Sequence, residues 1–111
     1  MKHLFSFRIG IVILAASLVL LGTSGVHAQS EAEKTFKTKC AACHGPDGSG
    51  SEVGKKMGTH DFHSSQVQSQ SEADLAQIVA KGKNKMPSYE KSLKPDEIKA
   101  LAAYVLELGK K

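Results

Sequence analysis

Cys40-Ala41-Ala42-Cys43-His44 is the stretch on which the fold turns, and it holds the only two cysteines of the chain. The spacing C-x-x-C-H is the attachment pattern of a c-type haem. On a helical turn, residues three and four apart share one face. Cys40, Cys43 and His44 therefore converge on a single small patch. Each thiol can add across a haem vinyl group to form a thioether, and the imidazole can reach the iron from the same side. Other uses of the pair fit less well. A redox dithiol belongs in a βαβ context, and no strand pattern surrounds this one. A structural zinc site would have to recruit His60 and His63 and would leave His44 idle. A disulfide across two intervening helical residues has poor bridge geometry.

Working outward toward the N-terminus, residues 1–28 read as an export signal. Lys2, His3 and Arg8 form a basic start, Ile9 to Leu21 an apolar run, and Val26-His27-Ala28 a small-x-small cleavage pattern. The apolar run is short for a membrane span, and an uncleaved anchor is the alternative. Cleavage after Ala28 leaves residues 29–111, one small domain of 83 residues. So short a chain buries only a modest core, and a covalently held haem would serve as its staple. Export also suits thioether chemistry outside the reducing cytoplasm.

The chain carries a formal net charge of +4. Cleavage would remove Lys2 and Arg8 and no acidic residue, bringing this to +2. No basic stripe interleaved with aromatics is present, which argues against nucleic acid as a partner.

The mature region reads as helices and turns. Ser30 followed by Glu33 is a capping-box signature for a first helix over Ser30 to Cys43. Gly45-Pro46-Asp47-Gly48-Ser49-Gly50-Ser51 is turn chemistry. Residues 52–70 lack sustained periodicity, and the polar Ser64 to Gln70 predicts a surface loop along one edge of the cofactor. Ser71 with Asp74 opens a second helix whose apolar face is Leu75, Ile78 and Val79 and which ends near Gly82. Pro87 biases Met86 away from helical geometry and places the pair in a loop. Pro95 fits the first position of a third helix, with Asp96 and Glu97 at its positive end. Ile98, Leu101, Ala102, Val105 and Leu108 form that helix's apolar face, and Gly109 closes it. No strand pattern or internal repeat appears.

A haem iron held by His44 needs a second axial group unless the site is open. Met86 fits best: it follows a complete helix and sits in a proline-stiffened loop. Met57 reads as packing or surface, and His60 or His63 would give a bis-histidine iron. Histidine–methionine ligation raises the reduction potential relative to bis-histidine, and a filled iron leaves no place for oxygen or peroxide. Both properties point to electron transfer without catalysis.

With these parts together the chain resembles the class I cytochromes c, particularly the small exported bacterial mono-haem ones. The resemblance spans residues 30–109. It rests on Phe36 four before Cys40, the CAACHG run with its PDGSG turn, the KMPSY segment around Met86, and Leu101 with Tyr104 in the last helix. It implies an all-α fold of three main helices plus loops wrapped around one covalent haem c. Cys40 and Cys43 would tether the haem, and His44 and Met86 would be the axial iron ligands. Phe36 would meet Tyr104 where the first and last helices cross, with Leu101 at the haem edge. Ala32 stands where the family often has glycine. The family's proline carbonyl that accepts the Nδ1 proton of the ligand histidine has no clear counterpart, and a backbone carbonyl near Thr59 or His60 is the expected substitute.

The implied function is a monomeric periplasmic electron carrier, not an enzyme, working with redox partner proteins as donor and acceptor. It would meet a membrane only through partner complexes or an uncleaved signal. Lys81, Lys83 and Lys85, with Lys55 and Lys56, would steer acidic partners. The rival readings are a haem enzyme or gas sensor with an open distal site, and a subunit of a larger respiratory or dehydrogenase complex.

Overall fold

The computed structural model describes residues 24–111, and these residues are helical with no β-strand among them. Six helices follow one another: α1 (Ser24–Lys39), α2 (Ala41–His44), α3 (Glu52–Lys56), α4 (Ser65–Gln68), α5 (Glu72–Lys81) and α6 (Pro95–Leu108). Three are long and three are single turns, which matches the expected all-α arrangement of three main helices joined by structured loops. None of the described helices is long and apolar enough to cross a membrane. The basic start and apolar run assigned to export lie outside the described residues.

The two later helices begin where their sequence signals place them. Ser71 Oγ accepts from the Asp74 amide at 3.1 Å and Asp74 returns the contact to the Ser71 amide, a complete capping box for α5. Gly82 ends α5 with φ +77°. In α6, Pro95 occupies the first turn, and Glu97 Oε2 accepts from the Lys94 amide at 2.7 Å.

The first helix departs from expectation at both ends. Ser30 lies inside α1, because the helix starts at Ser24, upstream of the proposed cleavage point. The helix does not run on to Cys43. It breaks at Cys40, whose φ of −120° is not helical, and a separate turn, α2, carries the next four residues. The stretch expected to be loop holds α3 and α4. Ser51 caps α3 by accepting from the Gly54 amide, and Ser64 caps α4 by accepting from the Val67 amide. Val67, set among polar neighbours, is buried and fastens α4 to the core.

The core forms where α6 packs against both α1 and α5. Phe36 from α1 is 1 % exposed and Leu101 from α6 is 2 % exposed. The Phe36 and Tyr104 rings meet at 5.3 Å between centroids with a 55° tilt, the helix-crossing contact implied by the resemblance. Ala32 is buried at the same crossing. Ile98, Ala102 and Leu108 fill the rest of the α6 face, and Leu75, Leu93, Val67 and Phe62 close over it.

Candidate functional site

Cys40, Cys43 and His44 are brought to one place by the break after α1. The Phe36 carbonyl accepts from the Cys40 amide at 2.9 Å, so the helix hydrogen-bond pattern extends one residue past Lys39. The Cys40 carbonyl then accepts from both the Cys43 and the His44 amides, at 3.2 and 2.9 Å. Both cysteines are free thiols, half-buried and unbridged to each other.

The glycine-rich segment that follows folds back onto α2. Gly50 donates to the His44 carbonyl at 2.7 Å, and Ser51 donates its amide to the Cys43 carbonyl at 3.0 Å. The Ser51 hydroxyl lies 2.7 Å from the Ala42 carbonyl and 3.1 Å from that of Cys43. Three carbonyls that the short helix leaves without intrahelical partners are satisfied in this way. Gly48 holds φ +81°, and a side chain there would run into the Phe62 ring. Glycine meets both demands at once.

The His44 imidazole stacks on Phe62 at 5.0 Å between centroids with a 33° tilt. Phe62 leans on Phe36 at 5.9 Å, and Phe36 on Tyr104. An aromatic chain thus runs from the candidate iron ligand to the helix crossing. Burial lowers the His44 pKa from the ordinary imidazole value, which favours the uncharged ring whose lone pair can bind a metal. Burial likewise raises the Cys40 thiol, with Lys39 opposing the shift. The expected carbonyl partner for His44 is not there: Nδ1 is buried and makes no hydrogen bond. The backbone of Thr59 turns inward to α3, donating to the Gly54 carbonyl at 3.0 Å.

Met86 is half-buried on a different loop. It closes a tight turn with Lys83, each amide donating to the other's carbonyl, at 2.9 and 3.2 Å. Asn84 takes φ +55° in that turn, a conformation asparagine tolerates. The loop is tied to the end of α5. Tyr89 donates to the Val79 carbonyl, Glu90 to that of Ala80, and the Ser88 hydroxyl to Ala80 at 2.5 Å. It is also tied to α1, because Tyr89 Oη donates to the Lys39 carbonyl at 3.2 Å. This single contact joins the Met86 loop to the residue before Cys40. Burial raises the Tyr89 phenol pKa, with smaller contributions from Cys40 and Cys43.

The remaining candidates stand apart. Met57 is 38 % exposed on the far end of α3. His60 is exposed, and His63 Nδ1 pairs with Asp61 at 2.7 Å on the surface. Among the described residues no cluster of three or more His, Cys, Asp or Glu could hold a metal ion, so the zinc alternative has no support here. Of the lysines, Lys81 is paired with Glu90 at 2.7 Å, whereas Lys83 and Lys85 form no ion pair among the described residues.

The donor set fits a haem. It offers two unbridged thiols, a neutral imidazole beside them, and an aromatic and aliphatic wall behind. Sequence reasoning gave no supporting role to Ser51, Phe62 or the Tyr89 hydroxyl, which fasten the site, and looked to Thr59 for its carbonyl, whereas it is the Thr59 hydroxyl that is buried without a partner. Ser51 carried a findable signal, a serine three residues before Gly54 that caps a turn. Phe62 and Tyr89 act across the chain and left none.

Comparison with known proteins agrees. Residues 27–105 match the family model described as cytochrome c oxidase, cbb3-type, subunit III. The chain is 33 % identical to cytochrome c6 of Nostoc sp. over 109 residues, covering 96 % of this chain and 93 % of that one. It is 35 % identical to the cbb3-type cytochrome c oxidase subunit FixP of Bradyrhizobium diazoefficiens over 95 residues, which is 84 % of this chain. The chain spans about a third (32 %) of that subunit's length. Among solved structures, the KustC0563 c-type cytochrome superposes with a TM-score of 0.66 at 26 % identity, covering 69 % of this chain and 95 % of that one.

Proposed function

The chain belongs to the cytochrome c family, as a small class I c-type cytochrome of electron transfer, and on that premise we propose that it is an exported, periplasmic, mono-haem carrier moving single electrons between redox partner proteins. The observation that carries this reading is the grouping of Cys40, Cys43 and His44 on one turn, with the loop that holds Met86 tied through Tyr89 to Lys39, the residue before Cys40.

Cys40 and Cys43 would hold the haem as thioethers, each thiol S–H adding across one vinyl group. His44 would supply a nitrogen ligand to the iron, and Met86 would supply a soft sulfur that favours the ferrous state. When bound, the haem provides a one-electron ferric–ferrous couple. Phe36, Phe62 and Leu101 keep water from the protein side of the site. On this reading Met86 would fill the position that an oxygen-binding or catalytic haem leaves open, and the hydrogen bonds that tie its loop to α5 and to Lys39 would hold it there. Residues 1–28 are the export signal and residues 29–111 the working domain.

The test is a visible spectrum of matured protein with a redox titration. One covalently bound haem per chain, a reversible one-electron wave, and the red-region charge-transfer band of a methionine–ferric bond are the expected results. Colourless protein, or haem extracted by acidified acetone, would overturn attachment. Rapid carbon monoxide binding to the reduced form would favour an open distal site and a sensor or enzyme.

A second reading is favoured by the cbb3-type family match and the FixP relative: the same electron-transfer domain serving as part of a terminal oxidase. Co-purification of the tagged protein with an oxidase would support it, and recovery of the monomer alone would favour the free carrier.

A further inference from the structure

A histidine that ligates a metal donates its other ring N–H to an acceptor, which fixes the ring's orientation and raises its basicity. In this chain the acceptor is missing from the hydrogen-bond pattern. Two side-chain polar atoms among the described residues are fully buried without a partner, and they are His44 Nδ1 and Thr59 Oγ1. Each such orphan costs on the order of a hydrogen bond or more, so two of them in one small site call for a common explanation.

The backbone places the hydroxyl against Gly50 and Gly54, the glycines that pack on the Cys43–His44 segment. A methyl built on Gly54 would sit 3.0 Å from Thr59 Oγ1 and would overlap the carbonyl of Cys43, the carbonyl of the peptide that joins Cys43 to His44. A methyl built on Gly50 would sit 3.2 Å from the same hydroxyl, and the Gly50 amide donates to the His44 carbonyl. Thr59 Oγ1 is therefore flanked by the two backbone groups that clasp His44. The Thr59 amide is held by the Gly54 carbonyl, so the residue cannot drift from this position without unwinding the end of α3. Stacking on Phe62 leaves the imidazole free to turn in its own plane.

We propose that the Thr59 hydroxyl is the positioning group for His44, accepting the Nδ1 proton once Nε2 is committed to the iron. The hydroxyl takes the place of the backbone carbonyl expected from the resemblance, and it makes the electron density of the axial histidine depend on one exchangeable side chain. The inference rests on the reading of His44 as an axial haem ligand.

The experiment compares the matured parent with Thr59→Val, which keeps the shape and deletes the oxygen, and Thr59→Ser, which keeps the oxygen. An acceptor on Nδ1 strengthens donation to the iron and favours the ferric form. Thr59→Val is expected to raise the reduction potential, shifting the ferrous-to-ferric ratio at fixed potential by up to about tenfold, equivalent to about 59 mV for one electron. Thr59→Ser is expected to stay at the parent value. Proton NMR of the parent is expected to show a slowly exchanging His44 Nδ1 proton with cross-relaxation to the Thr59 side chain, a readout that needs no variant to fold. A parent spectrum without that cross-relaxation would overturn the proposal. So would a coloured Thr59→Val protein with the parent's potential and exchange rate. A colourless parent would instead bring down the haem reading itself, which separates the two failures.

Discussion

Replacing Phe36 by alanine tests the packing that carries the whole site. The ring is 1 % exposed and touches two others, Tyr104 at 5.3 Å and Phe62 at 5.9 Å. Truncating a buried phenylalanine to alanine costs about 3–5 kcal/mol, the transfer loss and the residual cavity together. The two tilted ring pairs are each worth roughly 0.5–1.5 kcal/mol beyond burial, so the upper half of that range is expected. A domain of some 80 residues has roughly 4–12 kcal/mol of stability in all. The substitution should therefore consume a third or more of it and lower Tm by about 16 °C at the least. Guanidinium unfolding of the haem-loaded protein, followed by far-ultraviolet circular dichroism, gives the loss directly. Val53→Ala, at a side chain 60 % exposed, is the control and should stay within about 0.5 kcal/mol. A Phe36→Ala loss below about 1 kcal/mol would refute the claim that the α1–α6 crossing holds the molecule together.

Tyr89→Phe removes the donor to Lys39 and should cost about 0.5–1.5 kcal/mol while loosening the Met86 loop, so added imidazole should displace the sixth ligand several-fold more readily; an unchanged imidazole titration would contradict the tether. The same phenol gives a pH prediction: its folded-state pKa is raised by burial, so its contribution is present below about pH 10 and lost as pH rises through the folded value, and Tyr89→Phe should delete that alkaline component from the denaturation midpoint. Gly48→Ala places a methyl at φ +81° against Phe62, and backbone strain with overpacking should cost about 2 kcal/mol or more in thermal unfolding; a loss under about 1 kcal/mol would show that Phe62 yields freely. Met86→Ala should abolish the methionine–ferric band and open the iron to carbon monoxide, and a retained band would assign the ligand elsewhere.

What was legible in the sequence follows from the range of the forces involved. The α5 and α6 helices announce themselves through local chemistry, a serine–aspartate box and a first-turn proline, and both begin where that chemistry sits. The α3 and α4 turns are five and four residues long, too short for a hydrophobic period to show. Their stability comes from one serine cap each and from burial of Val67 and Gly54 against distant chain. Ser30 misled because a capping pair has force only at a chain position where a helix starts. If export removes residues 1–28, Ser30 becomes the second residue of the domain and its cap becomes usable. Within the site, the C-x-x-C-H spacing is local and was readable, and the Phe36–Tyr104 contact came through the resemblance. Phe62 and Tyr89 act on residues 18 and 50 positions away, and no local pattern encodes such pairings.

The two halves of the candidate site hang from a single point, the C-terminal end of α1. Cys40 continues the α1 hydrogen-bond pattern, and the Lys39 carbonyl, left over as the helix ends, accepts from Tyr89. The Met86 loop is thus braced against α1 on one side and against the Val79 and Ala80 carbonyls of α5 on the other. The α5 and α1 helices are in turn held by α6. Movement of Met86 away from the site would have to break the Tyr89 contact and strip three further hydrogen bonds from the end of α5. The Lys81–Glu90 pair adds little to that count, because both side chains are largely exposed. On the proposed reading, a site braced in this way would keep one ligand set through a change of iron charge. That rigidity suits electron transfer, in which the protein must serve both oxidation states with little rearrangement, and it is ill suited to a sensor that must release a ligand to respond.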